Sequence, residues 1–87
     1  MRKKLMTFIF SMLLSFSAWS VQINVNTADA RLMANNLSGI GMGKAEDIIR
    51  HREEHGEFKT LKDLARVKGI GPRTLERNAD KIKFSDE

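Results

Sequence analysis

Hydrophobic and polar positions along this chain change period twice. Val21, Ile23 and Val25 alternate with Gln22, Asn24 and Asn26, the two-residue period of an extended segment, so residues 21–26 are read as an extended N-terminal arm lying across the helices. The spacing then becomes helical. Behind Thr27, a good N-cap, Ala28, Asp29, Ala30 and Arg31 open a helix that buries Leu32, Met33 and Leu37, and Asn35 and Asn36 mark its fraying end. Ala45, Ile48, Ile49 and Arg52 form a second helical face, with Glu46, Asp47, Arg50, Glu53 and Glu54 on the solvent side and Gly56 as its stop. Phe58 is an inward aromatic in the connector after it. Thr60 caps a third helix, with Asp63 completing a capping box and Leu61, Leu64 and Val67 along one side. Leu75, Ala79 and Ile82 continue the apolar line in a fourth helix, Phe84 covers the end of the core, and residues 85–87 form a loose tail. The expected fold class is all-α, with one domain over residues 27–84.

One tripeptide interrupts this pattern at two places, Gly39-Ile40-Gly41 and Gly69-Ile70-Gly71, thirty residues apart. It is an internal repeat. In each copy the first glycine can take the left-handed conformation that closes a helix. The second glycine turns the chain at once into the next helix, whose first position is Met42 in one copy and Pro72 in the other. Ile40 and Ile70 are too apolar for an exposed bend and are expected to plug the space between the joined helices. Each bend then presents unpaired N–H groups at a helix start, where an anion can approach glycine closely. Lys44 and Arg73 stand in the first turns, poorly placed for the helix dipole but well placed beside a phosphate. Four helices in two hairpins cannot each bury a face alone. They are expected to pack as a pseudo-two-fold pair with both glycine bends on one side.

These two units resemble helix-hairpin-helix motifs. With Val25-Asn26-Thr27-Ala28 before them, His55-Gly56-Glu57-Phe58 between them and Val67-Lys68-Gly69-Ile70-Gly71-Pro72, the resemblance is to the small ComEA competence proteins over residues 23–83. The first hairpin carries Ser38 and Met42 where the motif often has prolines. The resemblance implies a tandem, SAM-like helix-hairpin-helix domain that binds double-stranded DNA without sequence preference, in the periplasm, during DNA uptake in natural transformation. Contact with a DNA-uptake pore or pilus belongs to the same implication.

The start of the chain stands apart from the domain. Arg2, Lys3 and Lys4 precede a largely apolar run from Leu5 to Phe16, and Ala18-Trp19-Ser20 supplies small residues for cleavage. Residues 1–20 therefore read as a secretory signal cut after Ser20, the apolar run being shorter than the ~20 residues of a spanning helix. Removing it changes the charge argument, since the formal +4 includes those three basic residues; Val21 to Glu87 keeps twelve basic and eleven acidic groups. Distribution matters more than the sum. Lys59 to Lys83 holds eight basic and three acidic residues, whereas Asp29 to Glu57 holds four basic and six acidic. The second half is the side expected to attract a polyanion.

Chemistry other than binding finds little to work with. There is no cysteine, so the expected 67-residue mature chain must fold on a small apolar core without disulfides. His51 and His55 have a zinc-like spacing of four but lack a third strong ligand, and two solvated histidines are the plainer expectation. Lys44 and Asp63 faintly resemble the catalytic pair of helix-hairpin-helix glycosylases, but a domain this small has no room for a flipped base. No catalytic residue, metal or cofactor is expected, nor an aromatic platform for single strands, because Phe58 and Phe84 are spent in the core. The candidate DNA-binding set is Gly39, Ile40, Gly41, Gly43 and Lys44 in the first unit and Lys68, Gly69, Ile70, Gly71, Arg73 and Thr74 in the second. The competing reading is an exported helical protein–protein interaction module, in which the glycines only turn the chain.

Overall fold

The computed structural model describes residues 21–86; the expected secretory signal and its cleavage point lie outside the described residues. The element order is β1 (Ile23–Asn24), α1 (Ala30–Asn36), α2 (Met42–His55), α3 (Leu61–Leu64), α4 (Pro72–Asn78), a 3-10 turn (Ala79–Lys81) and β2 (Ile82–Lys83). The molecule is mostly helical, as the pattern requires. The all-α expectation fits, with one two-residue strand pair added at the ends of the domain. The extended arm buries Ile23 and Val25 against the helical core, and its β1 residues also pair in parallel with β2, with Ile23 opposite Ile82 and Asn24 opposite Lys83. The alternation at 21–26 is legible in the sequence, but its partner is not: β2 is two residues long, and Ile82 fits the apolar line of the preceding helix.

Asn26 completes this closure. Its side-chain amide donates to Phe58 O (2.8 Å) and Phe84 O (2.9 Å), while its carbonyl accepts from Phe58 N (2.7 Å). Arg52, on the helical face that also carries Ala45 and Ile48, reaches back to Val25 O at 2.8 Å. The ends and the middle of the chain are thereby tied at one point, each tie satisfying a backbone group that burial would otherwise leave costly.

Helix boundaries differ from expectation where local hydrogen bonding decides. Asp29, not Thr27, caps α1, its carboxylate accepting from Leu32 N at 2.8 Å. Thr27 instead lies in the preceding turn, its amide bonded to Asn24 O. This later start rotates Leu32 outward, leaving it 45% exposed, while Met33 and Leu37 enter the core. The Thr60–Asp63 capping box is present, but α3 is only four residues long and continues as turns to Val67. In α4 the buried position is Asn78 rather than Ala79, which is exposed. Phe58, Met33, Ile48, Leu64 and Val25 form the most deeply buried part of a single apolar cluster that draws on both strands and all four helices.

Candidate nucleic-acid interface

The two glycine bends are built alike. Leu37 and Val67 anchor them from below, and Ile40 and Ile70, each 4% exposed or less, fill the space between the joined helices. Gly39 (φ +74°) and Gly69 (φ +90°) take the left-handed conformation that closes the preceding segment. Gly41 and Gly71 then serve as N-caps of α2 and α4 in ordinary extended conformations, without a side-chain cap, and Met42 and Pro72 take the first helical positions. A Cβ built on Gly41, Gly43 or Gly71 would meet nothing within 4 Å. These glycines therefore leave open space in front of the backbone rather than relieve strain within it.

The amides divide unevenly. In the second bend Ile70 N is already bonded to Val67 O (3.1 Å), and Pro72 has no N–H. The amides of Gly69, Gly71, Arg73 and Thr74 have no backbone partner among the described residues. In the first bend, among the described residues, no backbone acceptor pairs with the amides of Gly39 to Lys44; the first bond of α2 is Ala45 N to Gly41 O. Thus the first hairpin, with its Ser38 and Met42, offers the longer run of free donors.

Side chains from each motif close over the bend of the other. A Cβ built on Gly69 would come 3.4 Å from Lys44 Cε, and one on Gly39 would come 3.6 Å from Arg77 Nη1 and 3.9 Å from Thr74 Oγ1. Lys44 Nζ also reaches Gly39 O at 3.4 Å, so this cation stands between the two bends. Asn78 locks the arrangement. Fully buried, it accepts from Ser38 N (2.7 Å) and donates to Ser38 O (2.8 Å) and Thr74 O (2.8 Å). The two bends are neighbours, held in register by a polar clasp between the first hairpin and α4.

Of the remaining candidates, Arg73 is exposed in the first turn of α4. Lys68 is exposed as well but lines a cleft of about 200 Å³ together with Asp47, His51, Glu54 and His55, where acidic groups temper its charge. Thr74 lies beside the opposite motif's bend instead of its own. His51 departs from the solvated state expected of it: its ring stacks on Phe58 at 5.1 Å and its Nδ1 is buried without a hydrogen-bond partner. No group of three or more potential metal ligands converges among the described residues. Asn78, Asn26 and Arg77 were not singled out by sequence reasoning. The first two carried no signal, because asparagine ordinarily marks turns and caps.

Comparison with known proteins gives this geometry its context. The helix-hairpin-helix motif family matches residues 19–83. The chain belongs to the helix-hairpin-helix family. Among relatives, it is 48% identical over 65 residues to an uncharacterized protein of Haemophilus influenzae, covering 75% of this chain and 58% of that protein. It is 44% identical over 55 residues to ComE operon protein 1 of Bacillus subtilis, covering 63% of this chain and 26% of that protein. A more distant match, 33% identical over 66 residues, is to the transcriptional accessory protein Tex of Neisseria gonorrhoeae, covering 76% of this chain but 9% of that one. The chain thus spans little more than half the length of the first of these relatives and about a quarter of the second. It is a ComEA-like helix-hairpin-helix protein.

Proposed function

We propose that this protein binds double-stranded DNA through its phosphates, without reading sequence, and acts in DNA uptake on the far side of the inner membrane. The observation that carries the reading is the adjacency of two glycine bends, each with unpaired amides and open space in front of them. One bend of this kind suits any small anion. Two held at a set distance suit a polymer with repeating phosphates.

The reciprocal contacts of Lys44 with Gly69, and of Thr74 and Arg77 with Gly39, favour a pseudo-two-fold pairing of the motifs. Such a pair reaches the two backbones across a minor groove. Gly41, Gly43 and Gly71 admit phosphates to the backbone, Gly39 and Gly69 shape the bends through their positive φ, and Lys44, Arg73 and, less strongly, Lys68 add charge. Ile40 and Ile70 act from below, as buried supports of the bends. Phosphate contacts position a duplex but carry no sequence information. The role is binding rather than catalysis, and copies bound to an incoming strand would oppose its sliding back. Export to the periplasm through residues 1–20, read from their basic and apolar leader pattern, and contact with an uptake pore or pilus extend the proposal.

The test is a salt-dependent titration of the purified chain with duplex, single-stranded DNA and RNA. Four to six phosphate contacts give a slope of log affinity against log salt of roughly −4 to −5. A preference for single strands, or no duplex affinity at low salt, would defeat the reading.

A further inference from the structure

We infer that Arg77, which belongs to the second motif, is a phosphate-binding residue of the first hairpin. The inference rests on the proposed DNA-binding reading and assigns a partner residue within that same surface. Arg77 sits in the last turn of α4, yet its guanidinium lies against the first bend, with Nη1 3.6 Å from where a Cβ on Gly39 would stand. The neighbouring residue, Asn78, fixes that turn of α4 to the bend through its bonds to Ser38 N and Ser38 O, at 2.7 and 2.8 Å. The turn that carries the cation is therefore fixed beside the first hairpin by a buried clasp, while the Arg77 side chain itself is exposed.

Its charge is available. Among the described residues no carboxylate lies within 4 Å of Arg77; the ion pairs present are Arg50–Asp47 and Lys83–Asp86. Nor is the placement a by-product of the repeat. Thirty residues earlier, the equivalent position is Asp47, an acidic residue occupied by Arg50 at 2.8 Å. Simple repetition would have put like groups at both places. The first hairpin has the longest run of free amides and lacks an arginine of its own in the following turn, so a fork of guanidinium donors from the other motif completes an oxyanion site that backbone donors begin.

The experiment is a double-mutant cycle on duplex affinity at low salt, using the full chain. Arg77→Gln keeps the aliphatic stem and removes the charge. It is combined separately with Gly41→Val, which obstructs the first bend, and Gly71→Val, which obstructs the second; both backbones are extended and open, so neither valine strains the fold. Arg77→Gln alone is expected to lower affinity about three- to tenfold and to reduce the salt slope by about 0.9, with Arg77→Lys restoring the slope. The loss should shrink below about twofold beside Gly41→Val and persist beside Gly71→Val. An equal loss in both backgrounds, or none in the unaltered chain, overturns the inference while leaving DNA binding intact. Absence of duplex binding by the unaltered chain is a different result and removes the parent reading too.

Discussion

At the scale of single residues, glycines in the same tripeptide do different work. Gly39 and Gly69 have positive φ, so any side chain there strains the backbone, and its Cβ would rest in contact with Arg77 or Lys44. Gly41 has neither constraint. Gly41→Val should leave the helix content and melting temperature within the few-degree range of a weakened N-cap, while lowering duplex affinity at least tenfold; circular dichroism melts beside a binding titration separate the two effects. The extended φ of −84° at Gly41 and −103° at Gly71 shows that the second glycine of each bend relieves no strain and serves access. Asn78 is the opposite case, a polar residue whose importance is structural. Asn78→Ala removes three hydrogen bonds from a fully buried site and leaves Ser38 N and O and Thr74 O short of partners. The expected cost is about 2–4 kcal/mol, read as a drop in denaturation midpoint.

Among the elements, α3 is the least able to stand by its own propensity. Four residues make barely one turn, and nucleating so short a helix is unfavourable without a cap. The capping box supplies it: Asp63 N donates to Thr60 Oγ1 (3.2 Å), and Asp63 Oδ2 accepts from Lys59 N (2.8 Å) and Thr60 N (3.3 Å). The backbone hydrogen bond from Lys59, followed by that from Thr60 and the charges of Arg66 and Lys59, holds the Asp63 carboxyl below its ordinary value of 3.8. A depressed folded-state pKa stabilises the protein above the unfolded value, and that contribution disappears as pH falls below about 3.8. Asp63→Asn should therefore flatten the acid limb of the stability profile, measured as melting temperature between pH 7 and 2, the variant lying below the unaltered protein at pH 7 and converging with it toward pH 2. The strands show the converse dependence: β1 and β2 are too short to persist separately and exist because the packed helices bring their ends together.

For the whole molecule, function depends on where the basic half stands relative to both bends. Lys68→Glu with Arg73→Glu reverses two charges beside the second bend and should weaken duplex binding by well over tenfold with helix content unchanged. Within that pair Arg73 should carry the larger share, because Lys68 shares a cleft with Asp47 and Glu54. Shuffling the duplex sequence should alter affinity by less than about tenfold, since the surface offers backbone amides and cations to phosphates. Duplex should also raise the melting temperature in a concentration-dependent way, as any ligand selective for the folded state does.

The sequence by itself was enough for the bends, the helix starts at Met42 and Pro72, the buried Ile40 and Ile70, and the cap at Thr60, because each depends on residues within a turn of one another. It could not reveal the β1–β2 pairing, the Asn26 and Asn78 clasps or the position of Arg77 over Gly39. The two clasps alone join residues separated by 32 to 58 positions, and which polar side chain is buried there depends on how two nearly equal motifs dock. Local chemistry writes the hairpins; only their packing decides which cation stands over which bend.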